Sequence, residues 1–327
     1  MVMRALQLDE PGGYRQLHIG SAAKPEPAED EVLVRVAAVG LNPVDYKSMV
    51  NGHPAWTYPH IPGLDVAGVV EKVGSRVTDF RGQERVVFHG NLSRQGGLAD
   101  YAVATARTVS RIADNIDFAT AASMPCAGMT AWHALTRRLH LRSGQSLLVQ
   151  AGGGGVGSFA VQLGKHLGAV VYATCSTRSV AYVRSLGVDS VVDYTRDNLR
   201  EQITKLTGGR GVDAIIETQG EEQAGTDLKL LAFGGGMACL LGFPSLETLA
   251  PFTISPSLHE VSLGGAHLFG DHSAQQDLAR MGDELIGLLA SGRIRAPKIE
   301  VFRIERAVEA FDLLSSGHVQ GKLVIQQ

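Results

Sequence analysis

The stretch from Ser146 to Lys165 reads SLLVQAGGGGVGSFAVQLGK. Within it Gly152, Gly154 and Gly157 stand at the Gly-x-Gly-x-x-Gly spacing of a dinucleotide-binding loop. The chemistry of such a loop is anion binding by bare backbone. Gly152 permits a tight turn out of a strand, Gly154 lets a pyrophosphate approach the chain, and Gly157 lets the next helix pack close to the sheet. Gly155 and Val156 complete the loop and open that helix, whose free N–H groups and positive dipole end would hold phosphates. The surroundings agree. Ser146–Gln150 is short and apolar like a buried strand, and Phe159, Ala160, Leu163 and Leu167 recur on one helical face. A phosphate loop of the Walker type needs Lys after the last glycine, and Ser158 stands there instead. The remaining alternative is a flexible glycine-rich loop.

A second strand is expected at Ala169–Thr174. About 20 residues past the glycines an acidic side chain would grip both ribose hydroxyls and select NAD. Cys175 occupies that place, with no carboxylate beside it, and Ser176, Thr177 and Arg178 follow. Hydroxyls and a guanidinium suit a 2′-phosphate, so NADPH is expected over NAD. Otherwise Arg178 is a solvated residue opening a helix. Glu217-Thr218 and Gly242-Phe243 close two later strands, and carboxyl ends of parallel strands border ligands, so Thr218, Gly242 and Phe243 are further cofactor candidates. Glu217 could equally cap a helix.

These residues need a frame. The chain has 327 residues, more than one ordinary core, and two domains are expected. Its 44% hydrophobic and 19% charged content is globular, and a net charge of −3 without a basic run does not imply a nucleic acid partner. No apolar run reaches membrane-spanning length, and the N-terminus lacks the apolar core of a signal peptide. Cys126, Cys175 and Cys239 lie far apart, which fits a reducing cytoplasm. Residues 1–120 read as β-rich and barrel-like, with strands at Glu31–Val39, Asp65–Val73, Arg85–His89 and Ala99–Thr105. Gly68 marks a bulge or a close approach. Over residues 121–262, helices alternate with strands at Val188–Tyr194, Asp213–Glu217 and Met237–Leu241, predicting a doubly wound parallel sheet. Past residue 262 come helices at Leu278–Ala290 and Ile304–Leu314 and a strand at Lys322–Ile325, as if 263–327 returned to the first domain.

Several further segments carry a family resemblance. They are Gly40-Leu41-Asn42-Pro43-Val44-Asp45-Tyr46-Lys47, Pro62 to Gly68, Thr130-Ala131 with Ala134-Leu135, the glycine stretch, Val192-Asp193-Tyr194 and Gly321-Lys322-Leu323-Val324. Together they resemble the medium-chain dehydrogenases/reductases, in their zinc-independent, quinone oxidoreductase-like branch, nearly end to end. The resemblance implies an α/β fold: a Rossmann-type domain inserted in a discontinuous GroES-like catalytic domain, with the cofactor in the cleft between them. It implies roles for Asn42 at the nicotinamide ribose and substrate entrance, Lys47 near the substrate, Thr130 beside the nicotinamide and Tyr194 beside the adenosine phosphate. Asn42 could instead bond its own loop, Lys47 could be solvated, and Tyr46 could be core. His53 and His89 are further possible proton donors.

The resemblance departs from zinc-dependent relatives where metal would bind. Asn42 replaces the first ligand, Leu64 stands where a His is required, and only Cys126 matches, so no metal is expected. Without a Lewis acid, reduction of a conjugated acceptor is favoured over alcohol oxidation. The expected activity is NADPH-dependent hydride transfer to a quinone or an α,β-unsaturated carbonyl. An enoyl-thioester reductase, an alcohol dehydrogenase-like enzyme and a non-catalytic NADPH-binding sensor are the alternatives. The family also implies a homodimer, for which Val261–Leu268 is a candidate edge strand.

Overall fold

The computed structural model describes residues 1–245 and 252–327. The chain divides into two compact units, Met1–Met129 with Leu263–Gln327, and Thr130–Ser262.

The first unit opens with β1 (Val2–Gln7) and β2 (His18–Ala23), an antiparallel pair. Then come β3 (Glu31–Gly40), α1 (Pro43–Asn51), β4 (Asp65–Val73), β5 (Arg85–His89), β6 (Tyr101–Thr105), β7 (Val109–Arg111) and α2 (Phe118–Ala122). β3 is buried along nearly its whole length because β4 and β6 pair with it and α2 covers it. A Cβ on Gly40 would lie 2.1 Å from the Ala122 carbonyl, so α2 rests directly on backbone. Gly68 explains itself similarly: a Cβ there would stand 2.2 Å from the Arg35 carbonyl, where the β3–β4 register shifts. A π-helical turn, Pro125–Met129, follows α2 in this unit, whose first segment thus ends at Met129, nine residues past the sequence-based boundary at 120. The sequence pattern turns helical at Ala119, but the first helix there, α2, is tied to β3 and β4.

The second unit contains α3 (Thr130–Trp132), β8 (Ser146–Val149), α4 (Gly155–His166), β9 (Val170–Cys175), α5 (Val180–Ser185), β10 (Ser190–Asp193), α6 (Leu199–Leu206), β11 (Val212–Glu217), α7 (Glu221–Asp227), β12 (Leu231–Cys239) and β13 (Ser257–Glu260). Its six strands pair in parallel in the order β10-β9-β8-β11-β12-β13. Taken in chain order this is 3-2-1-4-5-6, the doubly wound arrangement, whose direction reverses between β8 and β11. Leu148, Ile215, Met237 and Val192 form its core with Ile203 of α6. The expected edge strand at Val261–Leu268 is corrected. The edge is β13, four residues upstream, and Gly265–Leu268 is a short helix, α8. Paired glycines at 264 and 265 weaken a strand, since glycine has no side chain to pack.

The chain then returns to the first unit through α8, α9 (His272–Ala290), β14 (Ile299–Arg303), α10 (Ala307–Ser315) and β15 (Lys322–Gln326). α9 begins six residues before its apolar periodicity because Asp271 caps the N–H groups of Ser273 and Ala274. β15 pairs with β3, setting Val324 opposite Gly40. That pairing brings the last residues of the chain to the start of α1, where Leu41 N–H donates to the Leu323 carbonyl at 2.9 Å.

Candidate functional site

The glycine loop of the second unit joins β8 to α4, at the carboxyl edge beside the reversal point. The left-handed residue in this turn is Ala151, with φ 50°, and not Gly152 as the motif suggests. Gly152 is required for space: its Cβ would meet the Ala173 side chain of β9 at 2.8 Å. Gly157 is tighter still, since a Cβ there would lie 2.2 Å from the Ala151 carbonyl. Gly154 differs. A Cβ there would find only the Ala151 carbonyl, at 3.4 Å, and its other side is open. Ser158 N–H already reaches the Gly154 carbonyl at 2.9 Å, so the N–H groups of Gly155, Val156 and Gly157 are those without an intrahelical partner. The cradle therefore fits a dinucleotide pyrophosphate.

A buried polar chain that the motif does not reveal fixes this loop. Thr174 Oγ1 accepts from Ala151 N–H (3.1 Å) and donates to Gln150 Oε1 (2.5 Å). Gln150 Nε2 donates to Asp227 Oδ2 (2.5 Å), and Gln223 Nε2 to Asp227 Oδ1 (2.7 Å). Burial raises the Asp227 carboxyl above the usual range, against these two hydrogen bonds.

The other cofactor candidates of this sheet also follow carboxyl ends of strands. Ser176 and Arg178 follow β9, Tyr194 follows β10, Thr218 follows β11, and Gly242 and Phe243 follow β12. Gly242 adopts φ 117°, which a side chain would oppose. Tyr194 is 59% exposed, an uncommon state for an aromatic ring with nothing to cover. Thr130 is half-buried at the start of α3. The expectation that no carboxylate lies near Cys175 is corrected: strand register places Asp193 directly beside it. Asp193 is already engaged, accepting from Thr177 Oγ1 (2.5 Å), Thr195 Oγ1 (2.7 Å) and Thr195 N–H (3.1 Å). Glu217 serves as a cap, accepting from the N–H groups of Gln219 and Gly220 on the way into α7.

In the first unit Asn42 lies at the centre of a buried polar cluster assembled from β4, β5, α1, β15 and the Pro125–Met129 turn. Asn42 is 2% exposed. Its Nδ2 donates to Asp65 Oδ2 at 2.9 Å, and its Oδ1 accepts from Lys322 Nζ at 2.5 Å. Lys322 Nζ also donates to the Leu41 carbonyl at 3.0 Å and stands 3.7 Å from Asp65 Oδ2. His89 Nδ1 meets Asp65 Oδ1 at 2.7 Å, and Cys126 N–H reaches both Asp65 oxygens at 3.0 Å. Burial would push the Asp65 carboxyl up, but the His89 hydrogen bond and the Lys322 charge hold it below the usual range. Asp45 fares differently. One oxygen accepts from Asn42 N–H at 2.8 Å and the other has no partner, so burial, aided by Asp65, pushes this carboxyl up to about 7.

Lys47, two residues past Asp45 on α1, is turned by roughly 200° from it and is exposed. The lysine that meets Asn42 is Lys322, from the far end of the chain. Tyr46, partly buried, packs against the core and edge-on against Tyr14 with ring centroids 6.1 Å apart. His53 Nδ1 accepts from Ala55 N–H at 3.2 Å. Asp65, Lys322 and Asp45 complete this cluster, and in the sequence each was legible only as a letter of a family motif.

Among the described residues, Asp65, His89 and Cys126 form the group whose possible ligand atoms lie within 4.8 Å of one another. These residues do not fit a metal as they stand. Asp65 already takes four hydrogen bonds, and an ammonium is seated beside it. Burial, then the Asp65 charge, push the Cys126 thiol well up, away from the thiolate that a metal needs.

Two family models match the chain: "Alcohol dehydrogenase GroES-like domain" over residues 28–114 and "Zinc-binding dehydrogenase" over residues 155–284. The chain is 32% identical over 331 residues to a quinone oxidoreductase of Lama guanicoe, covering 99% of this chain and 97% of that one. It is also 32% identical to the NADPH-dependent alkenal/one oxidoreductase, chloroplastic, of Arabidopsis thaliana, covering 99% of this chain and 79% of the relative. A solved quinone oxidoreductase from Pseudomonas syringae pv. Tomato DC3000 superposes with a TM-score of 0.89 at 28% identity, covering 99% and 100% of the two chains.

Proposed function

Because the chain belongs to the medium-chain dehydrogenases/reductases, among their quinone oxidoreductase-like members, we propose that it is an NADPH-dependent, zinc-free reductase of quinones or α,β-unsaturated carbonyls. The observation that carries this reading is the open face of Gly154 before three N–H groups that have no intrahelical partner, at the point where strand order reverses. When bound, the nicotinamide supplies the hydride.

The chain's residues then bind and orient. The amides of Gly155, Val156 and Gly157 hold the pyrophosphate, and Gly152 keeps the loop seated against β9. Ser176 and Arg178 take the 2′-phosphate; Asp193 does not contest it, because its oxygens are filled by Thr177 and Thr195. Tyr194, Thr218, Gly242 and Phe243 border the adenosine side and the dinucleotide, and Thr130 the nicotinamide. Asn42 is the catalytic-site candidate of the first unit, held rigidly by Asp65 and Lys322. Lys47, exposed on α1, is the candidate donor to the oxygen that gains charge.

The test is consumption of NADPH with a panel of quinones and enones, with NADH in parallel. Turnover with NADPH and either substrate class supports the reading; Lys47→Ala should then lower kcat about tenfold or more, the loss of one charge-stabilising donor. Turnover with acyl thioesters alone would make the chain an enoyl-thioester reductase, turnover with alcohols alone an alcohol dehydrogenase-like enzyme, and binding without turnover a sensor.

Two further parts of the reading concern assembly and place. β13 is an edge strand whose outer side has no partner among the described residues, and it supports a homodimer formed by pairing with a second copy. Light scattering at the mass of one 34.7 kDa chain would exclude it. Three unbridged cysteines support a cytoplasmic location. No helix of the described residues is long and apolar enough to cross a membrane.

A further inference from the structure

Asp65, His89 and Cys126 offer a carboxylate, an imidazole and a thiol within 4.8 Å of one another. Three such ligands and one water are a sufficient set for a four-coordinate zinc ion. The group seated beside them cannot ligate. The Lys322 ammonium has three donors and no lone pair. We propose that Lys322 is a resident cation that keeps a divalent metal out of the Asp65–His89–Cys126 trio, so that the chain carries a latent metal site closed by its own lysine. This rests on the zinc-free part of the reading above.

Three observations carry it. The ammonium is built in: it donates to the Leu41 carbonyl at 3.0 Å and to Asn42 Oδ1 at 2.5 Å, and Lys322 is 4% exposed. Its position follows from the backbone, since β15 pairs with β3 and Gly321, at φ 81°, turns where a Cβ would meet the Lys298 carbonyl at 2.0 Å. Second, Asp65 has no vacant lone pair, and one of its donors, Asn42, is itself bonded to the lysine. Oδ1 accepts from His89 Nδ1 and Cys126 N–H, and Oδ2 from Asn42 Nδ2 and Cys126 N–H. Asn42 is held in that pose by Lys322 from its other end. Third, the Asp65 charge is already balanced at 3.7 Å. A dication would add two positive charges beside a fixed one, in surroundings where water screens little.

The experiment uses Co²⁺ as probe, because a cobalt–thiolate bond gives a charge-transfer band in the near ultraviolet. Purified wild-type protein is titrated with Co²⁺ beside Lys322→Met and the more conservative Lys322→Gln, each checked for fold by circular dichroism. The expected result is no thiolate band in the wild type. Either folded variant should bind one Co²⁺ with the band, at an affinity higher by about a hundredfold or more. Adding Cys126→Ser to the variant should abolish the band. A wild type that shows the band at the variants' affinity overturns the proposal, as does a folded variant that takes up no cobalt. Lys322→Gln keeps a donor for the Leu41 carbonyl, so the test survives if Lys322→Met does not fold, and the wild-type arm needs no variant. Reductase activity is assayed separately: its absence would remove the proposed function and leave the cobalt result standing.

Discussion

The ammonium of Lys322 donates to the side-chain oxygen of Asn42 across 2.5 Å, joining residues 280 positions apart. The bond is buried and its far side faces the ionised Asp65. Removing one partner of a buried pair leaves the other charge uncompensated, at a loss of roughly 3–5 kcal/mol. Lys322→Met should therefore lower the unfolding free energy by about 3 kcal/mol, and Asn42→Ala by about 1–2 kcal/mol. Urea unfolding monitored by circular dichroism checks the ranking. Equal, small effects would mean that Asp65 is compensated elsewhere.

The glycine loop separates packing from binding. Gly157→Ala places a methyl 2.2 Å from the Ala151 carbonyl and should lower the thermal midpoint markedly. Gly154→Ala meets nothing closer than 3.4 Å and should leave the midpoint within about 2 °C of wild type. The methyl nevertheless stands on the face that the proposed reading gives to phosphate, so NADPH affinity should fall about tenfold or more. Fluorescence titration with NADPH and a melting curve on the same samples decide it; intact affinity in Gly154→Ala would move the pyrophosphate elsewhere.

Arg178 sets coenzyme preference in the proposed reading. Arg178→Ala should lower kcat/KM for NADPH by about tenfold to a hundredfold, the range for losing one charge-assisted contact, and leave NADH within about twofold. Asp193→Asn removes a carboxylate whose oxygens are filled by two threonines, and should change the preference little. Equal losses with both coenzymes in Arg178→Ala would assign the arginine a structural role.

Two buried groups of the first unit give stability opposing pH slopes. His60 stacks on Trp56 with centroids 3.7 Å apart, and burial, then His53, push its pKa down to about 4. The unfolded chain binds this proton near the ordinary value of 6.5. Stability from His60 is thus present above pH 6.5 and is lost as pH falls toward 4. Asp45 is raised from 3.8 to about 7, so the folded protein keeps a proton that the unfolded chain has shed. Its contribution is present below pH 4 and is lost as pH rises to 7. Asp45→Asn should accordingly stabilise the protein more at pH 7.5 than at pH 4.5, by on the order of 1–3 kcal/mol, and His60→Phe should flatten the acid limb. Melting curves from pH 4 to 8 test both. A gain in Asp45→Asn that does not change with pH would show that its carboxyl titrates normally.

Local chemistry explains what was readable along the chain. The glycine spacing, the switch from strand to helix periodicity near Ala119 and the apolar strands β3, β4, β5 and β11 are short-range patterns, and they located the glycine loop and both fold types. Even there the physical cause was partly hidden. Gly152 reads as a turn residue, whereas Ala151 makes the turn and Gly152 clears the side chain of Ala173. Asp193 looks remote from Cys175 until parallel register sets the two side by side.

What the sequence by itself determined is most of the strands and helices and the place of the glycine loop, because backbone freedom and helical or strand periodicity are encoded within a few residues. What only the tertiary structure decided is the company each polar side chain keeps. Asn42, Asp65, His89, Cys126 and Lys322 come from five separate segments, and no spacing rule joins them. Strand pairing between β15 and β3 brings Lys322 to Asn42, and removal from water makes that meeting matter, since a buried charge must find its partner wherever in the chain it lies.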